Sequence, residues 1–120
     1  MRPLLLSVLF LLFLVPFSSS AITFQELPLQ LQFVSICESG AKQYRENGRL
    51  VIGPFGEIGF LQIHPIHFKE AKKLGYDIYD PNDNMAFGLL LYKKEGLKPW
   101  SASLKCYKKL SYSSFVRGAL

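Results

Sequence analysis

Glu38 stands in Ser35-Ile36-Cys37-Glu38-Ser39-Gly40, directly after a cysteine and two residues before a glycine, where a mostly apolar segment ends. A carboxyl at the C-terminal end of a helix feels the negative end of the dipole, and an apolar stretch beside it removes water; both raise its pKa. A carboxyl kept protonated near neutral pH can protonate a departing glycosidic oxygen. On these features alone, the simpler reading of Glu38 is a solvated charge in the last helical turn. Glu57, in the glycine-rich connection 53–59, is the candidate second carboxylate. Glycoside hydrolases use two, about 5 Å apart when retaining and roughly 6.5–9.5 Å apart when inverting. The alternative for Glu57 is an exposed loop charge.

Two other clusters imitate metal sites. His64 and His67 in His64-Pro65-Ile66-His67 have no third histidine or nearby acid, so they read as a helix-start residue and a side chain on the cleft or core. Asp80, Asn82 and Asn84 fall at positions 1, 3 and 5 of a calcium loop, but Met85 replaces the required glycine and Leu91 the closing glutamate. A helix cap is the better reading. No metal and no cofactor is expected.

These residues need elements to hold them. Thr23 and Glu26 have capping-box spacing, but Pro28 follows, so the first helix starts at Thr23 with a distortion or restarts near Pro28. Leu31, Phe33, Val34 and Cys37 continue at helical spacing to Ser39-Gly40, a stop signal. Asn47-Gly48, between Gln43-Tyr44-Arg45 and Leu50-Val51-Ile52, predicts a β-hairpin. Pro65 opens a helix closed by Gly75. Asp80-Pro81 caps a central, nearly all-apolar helix ended by Gly96. Pro99 opens a last helix carrying Cys106, with Trp100 buried and its indole N–H bonded. The tail from 111 carries no signal of its own. Helices with a small separate β element place the chain in the α+β class, mainly α.

The N-terminus bounds the compartment. Leu4 to Phe17 carries no charge, follows Arg2, and leads to small residues at Ser19 and Ala21. This pattern predicts a signal peptide over 1–21, cleaved near Ala21, and hence a secreted or cell-envelope protein; an uncleaved anchor is the alternative. Of 120 residues, 99 would remain, with 13 basic against 9 acidic side chains, a net charge of +4. That charge suits an anionic polymer or membrane surface outside the cell and, with secretion, argues against nucleic acid. Cys37 and Cys106 allow one bridge or remain two free thiols.

Four motifs occur in order: Cys37-Glu38-Ser39-Gly40; Gly59-Phe60-Leu61-Gln62-Ile63; Gly75-Tyr76-Asp77-Ile78-Tyr79-Asp80-Pro81 with Asn84-Met85-Ala86; and Pro99-Trp100-Ser101-Ala102-Ser103 with Cys106. Together they resemble lysozyme-like soluble lytic transglycosylase domains over about residues 33–107. The first and last also resemble resuscitation-promoting factor domains, which implies a Cys37–Cys106 disulfide. The resemblance implies a lysozyme-like fold with a small β-hairpin after the catalytic helix. It also implies cleavage of the MurNAc-GlcNAc β-1,4 bond of peptidoglycan to 1,6-anhydro-MurNAc ends. Glu38 would be the single acid and base, with Gln62, Ser39 and, by looser alignment, Tyr92 at the substrate; Glu57 also stands as a substrate-side group. Ala41 departs from the family, where a second glycine is common, and so does His64.

The expected organisation is a signal peptide at 1–21, a catalytic domain at 22–107 and a basic C-terminal tail at 108–120, in a monomer. Peptidoglycan strands are the expected partner, with peripheral membrane or wall contact through the basic tail. The competing functions are a non-catalytic peptidoglycan-binding module and a lysozyme-type hydrolase using Glu57. A third is a cationic membrane-active protein, suggested by Lys105, Lys108, Lys109 and Arg117.

Overall fold

The computed structural model describes residues 21–118. The segment read as a signal peptide lies, Ala21 apart, outside the described residues. Thr23 caps a single 3-10 turn, Phe24–Glu26, through the expected box with Glu26. The helix then restarts: Pro28 is the N-cap of α1, Leu29–Ser39, where its missing N–H leaves no helical bond unmade. Gly40 ends α1 at φ 68°, and the N–H groups of Gly40 and Ala41 turn back to the Ile36 and Ser35 carbonyls.

After an irregular segment, a 3-10 turn at Pro65–His67 runs into the short α2, Phe68–Lys73. The Asp80 carboxylate accepts the Asp83 N–H and Pro81 occupies the first turn of α3, Pro81–Glu95, which ends at Gly96. A 3-10 stretch, Lys98–Ser103, holds Trp100 outside helical geometry and leads into α4, Leu104–Gly118. The sequence from 108, set apart above as a basic tail, continues α4 without a break. It contains no proline, and its first glycine is Gly118.

The expected α+β class, with a β-hairpin on a lysozyme-like fold, is corrected: the described residues are helical and contain no strand or sheet. A turn does form here, but one residue earlier than Asn47-Gly48 signals: the Gly48 N–H donates to the Arg45 carbonyl, so Glu46 and Asn47 are its central residues, only Gly48 of the pair has positive φ, and one isolated bridge, Tyr44 to Leu50, follows. A ladder needs consecutive paired residues. Here the chain turns again at Gly53-Pro54, Gly56 and Gly59, leaving single bridges from Ile52 to Ile58 and from Ile58 to Ile63. Buried amide side chains take over the backbone groups that a sheet would pair. Gln43 accepts the Phe60 N–H and donates to the Ile78 and Tyr79 carbonyls. Asn84, on α3, accepts the Leu61 N–H and donates to the Ile58 and Ile78 carbonyls.

The core forms where this segment meets the helices. Leu31 and Val34 of α1, Leu61 and Ile63, and Phe87 and Leu91 of α3 are all buried. Gly88 makes room on α3 for Leu61, since a Cβ there would collide with the Leu61 side chain. Trp100 is buried and its indole N–H donates to the Leu61 carbonyl at 2.7 Å, as the sequence suggested. These contacts fix the segment 58–63 against α1, α3 and the start of α4, the frame in which Glu38 stands.

Candidate active site

Glu38 is the penultimate residue of α1. One residue earlier, Cys37 is bonded to Cys106 on the first turn of α4, with the two Cα atoms 5.9 Å apart. The disulfide brings Ser103, the last residue of the preceding 3-10 stretch, to the carboxyl: its hydroxyl donates to Glu38 Oε1 at 2.6 Å. Among the described residues Oε2 takes no hydrogen bond. Burial pushes the Glu38 pKa above the ordinary glutamate range, the Ser103 hydroxyl partly opposes it, and the charge of Glu57 adds to the rise. The sequence pointed to desolvation, and burial is the leading cause.

Glu38 and Ser39 open onto a cleft of about 590 Å³ whose other wall is Lys42, Arg45, Glu46, Asn47 and Val51. That wall is the turn at Glu46-Asn47 with residues on either side of it, so the turn flanks the cleft as a loop.

The other expected site residues occupy different positions. Ser39 lines the cleft, but its hydroxyl donates to the Phe60 carbonyl at 2.6 Å and accepts the Lys42 N–H. It ties the end of α1 to the segment carrying Gln62. Gln62 is buried and its amide nitrogen donates to the Val51 and Gly59 carbonyls at 3.1 and 2.9 Å, so it backs the cleft wall at Val51. Its backbone is left-handed at φ 47°, a conformation a non-glycine residue holds only when its surroundings impose it.

Glu57 Oε2 accepts the Phe55 N–H at 2.9 Å, and with Gln62 Oε1 it lies over Gly53, where a Cβ would strike both side chains. Glu57 thus reaches Glu38 by charge while remaining fixed in its own turn. Tyr92 stands elsewhere. Its hydroxyl donates to Gln30 Oε1, and Gln30 lies eight residues before Glu38 on α1, about 12 Å along the axis. Tyr92 joins α3 to α1 and does not share the cleft.

Sequence reasoning quoted Ser103 within a motif and gave it no role, and Lys42, Arg45 and Glu46 were not singled out. Lys42 follows Glu38 by four residues, whereas only the juxtaposition of α1 with the 3-10 stretch before α4 and with the turn brings Ser103, Arg45 and Glu46 to the same site. Ala41 has φ 56°, which accounts for a second glycine being the easier residue there. His64 caps the 3-10 turn at Pro65, its Nδ1 accepting the Ile66 N–H, and the His67 ring meets Phe87 edge-on at 6.5 Å. Among the described residues no group of three or more His, Cys, Asp or Glu side chains could hold a metal ion.

The arrangement sets a carboxyl of raised pKa, hydrogen-bonded at one oxygen only, on the lining of an open polar cleft, where it can give or take a proton. No protein-family model matches the chain, and no curated protein or solved structure is significantly similar to it.

Proposed function

We propose that the protein is a secreted or envelope-located peptidoglycan lytic transglycosylase that breaks the MurNAc-GlcNAc β-1,4 bond and leaves 1,6-anhydro-MurNAc ends. The observation that carries this reading is Glu38: half-buried, raised in pKa by that burial, held at Oε1 by Ser103, and lining the cleft. The order of the four sequence motifs supports it. The disulfide fits an oxidising compartment and so the export signal.

In the first step protonated Oε2 gives its proton to the glycosidic oxygen, the C1–O bond breaks, and its electron pair leaves with the departing alcohol. The resulting carboxylate, still bonded to Ser103, then takes the proton of the C6 hydroxyl as O6 attacks C1. The ring closes and Glu38 is protonated again. Ser103 donates to Oε1 throughout, which leaves Oε2 for both transfers. Neither step calls for a metal or cofactor.

Glu38→Gln is isosteric and retains an acceptor for Ser103. The expected outcome is a folded protein that no longer releases soluble fragments from peptidoglycan; a variant that still clears it would end the assignment. Wild-type protein that sediments with purified wall and releases nothing would replace the enzyme with a binding module.

A second reading has its own observation. The charge of Glu57 is felt at Glu38 and contributes, after burial, to the rise in its pKa, so a second carboxylate stands within electrostatic reach of the acid. In that reading Glu57 is the base or nucleophile, and Glu57→Gln lowers kcat by roughly 100-fold or more. In the anhydro-forming mechanism the same change mainly shifts the pH profile.

A further inference from the structure

The solvent side of α4 carries a pattern that the proposed activity does not use. Tyr107 is buried, Cys106 is bridged and Leu110 is half-buried, so these residues define the packed side of the helix. On the opposite side Lys105, Lys108, Lys109 and Tyr112 follow one another at i, i+3, i+4 and i+7, and Phe115 continues the stripe three residues later. All five are exposed, Tyr112 at 71% and Phe115 at 76%. The helix carries four basic residues and no acidic one. The stripe is also graded along its length, with lysines in the first two turns and bare aromatic rings about 10–15 Å further on.

We propose that this stripe of α4 docks the protein on an anionic lipid surface, the three lysines meeting headgroups while Tyr112 and Phe115 enter the interface. Charge complementarity selects the anion, since an acid-free helix with three aligned lysines is attracted to phosphate-bearing lipid within about a Debye length. The aromatics select lipid over a soluble polyanion. A polyanion would engage the lysines and gain nothing from two rings that are now three-quarters exposed, whereas a bilayer interface accepts both. The helix lies on the surface and does not cross it. Its 15 residues span about 22 Å against a hydrocarbon core of about 30 Å, and among the described residues no helix is long and apolar enough to cross a membrane. Ser103, the partner of Glu38, is half-buried and lies two residues before Lys105, whereas the five stripe residues are exposed and their aromatic end lies about 18 Å beyond Ser103.

The test is co-sedimentation of the protein as purified with vesicles of phosphatidylcholine alone and of phosphatidylcholine with one-quarter phosphatidylglycerol. Three forms with the same N-terminus are compared: wild type, the Lys105→Gln/Lys108→Gln/Lys109→Gln triple variant, and the Tyr112→Ser/Phe115→Ser double variant. All substituted side chains are exposed, and a melting curve verifies each fold. Any lipid affinity of the N-terminal run is common to the three and cancels in the comparison. On anionic vesicles the triple variant is expected to lose partitioning by on the order of 100-fold and the double variant by at least about tenfold, with wild-type binding falling as salt rises. Equal binding by wild type and both variants overturns the proposal. Loss in the triple variant with full retention in the double variant also overturns it, because that result describes adsorption to any polyanion.

Discussion

Replacing both cysteines, Cys37→Ser with Cys106→Ser, separates what holds the site from what reacts in it. The bridge joins residues 69 apart in sequence. In the chain-entropy treatment, closing a loop of that length removes about 15 cal/mol/K from the unfolded chain, or about 4 kcal/mol at 25 °C. This is a large share of the roughly 5–15 kcal/mol by which a domain of this size is stable. At roughly 4–8 °C per kcal/mol, Tm should fall by about 20 °C. Thermal and urea melts of wild type and variant measure the loss.

The same variant should keep its chemistry while it remains folded. Trp100 still donates to the Leu61 carbonyl and Ser103 to Glu38, so the start of α4 has two anchors that do not involve sulfur. Specific activity well below the lowered Tm should remain within a factor of about three of wild type. A fall in Tm of less than about 5 °C would refute the reasoning that the bridge supplies the missing stability of a small core. Loss of activity in a fully folded variant would refute the division between anchor and acid.

Glu38→Gln should change stability in the opposite sense. Because burial raises the Glu38 pKa, the folded chain holds a proton that the unfolded chain releases above the ordinary carboxylate range. Stability therefore falls as pH rises from there through the folded pKa. The Gln variant lacks that slope, and melts from about pH 4 to 8 should show it gaining on wild type toward neutral pH. Ser103→Ala removes the bond that holds the Glu38 pKa down, so the alkaline limb of the activity profile should move to higher pH, with kcat down roughly tenfold as the carboxyl loses its orientation. A lower rate with an unmoved limb would assign Ser103 to packing alone. Ala41→Gly relieves a left-handed alanine at φ 56° and should stabilise by about 0.5–1 kcal/mol, read as a rise in Tm of a few degrees.

What could be read in the sequence was local. The Thr23/Glu26 box, the restart at Pro28, the stop at Gly40 and the Asp80-Pro81 start all depend on groups within a few residues of each other, and each acts where its pattern stands. A turn near Asn47-Gly48 was legible for the same reason, although it is centred on Glu46-Asn47 with only Gly48 at positive φ. The hairpin expected from it was not there: the run after the turn lasts only from Leu50 to Ile52 before Gly53-Pro54 turns the chain again, and it pairs through the single bridge of Tyr44 with Leu50.

Nothing near Asn84 announces that its amide will replace sheet hydrogen bonds, since one of its partners, Ile58, lies 26 residues away. The contact of Ser103 with Glu38 spans 65 residues and is equally silent in the sequence. Gln62 was expected at the substrate; its amide nitrogen is instead bound to two carbonyls behind the cleft wall. Tyr92, aligned only loosely, packs at the far end of α1. Glu38 was singled out by the order of the four motifs; of the local features, the apolar stretch that pointed to burial matches the leading cause of its raised pKa.

The central claim is that Glu38 alone carries proton transfer in both directions. Mass spectrometry of the muropeptides released from purified peptidoglycan by wild-type protein tests it most directly. Wild type should release products with 1,6-anhydro-MurNAc ends, one water lighter than reducing ends, and Glu38→Gln should release none. Reducing ends from wild type, lost on Glu57→Gln, would contradict it and make the protein a two-carboxylate hydrolase.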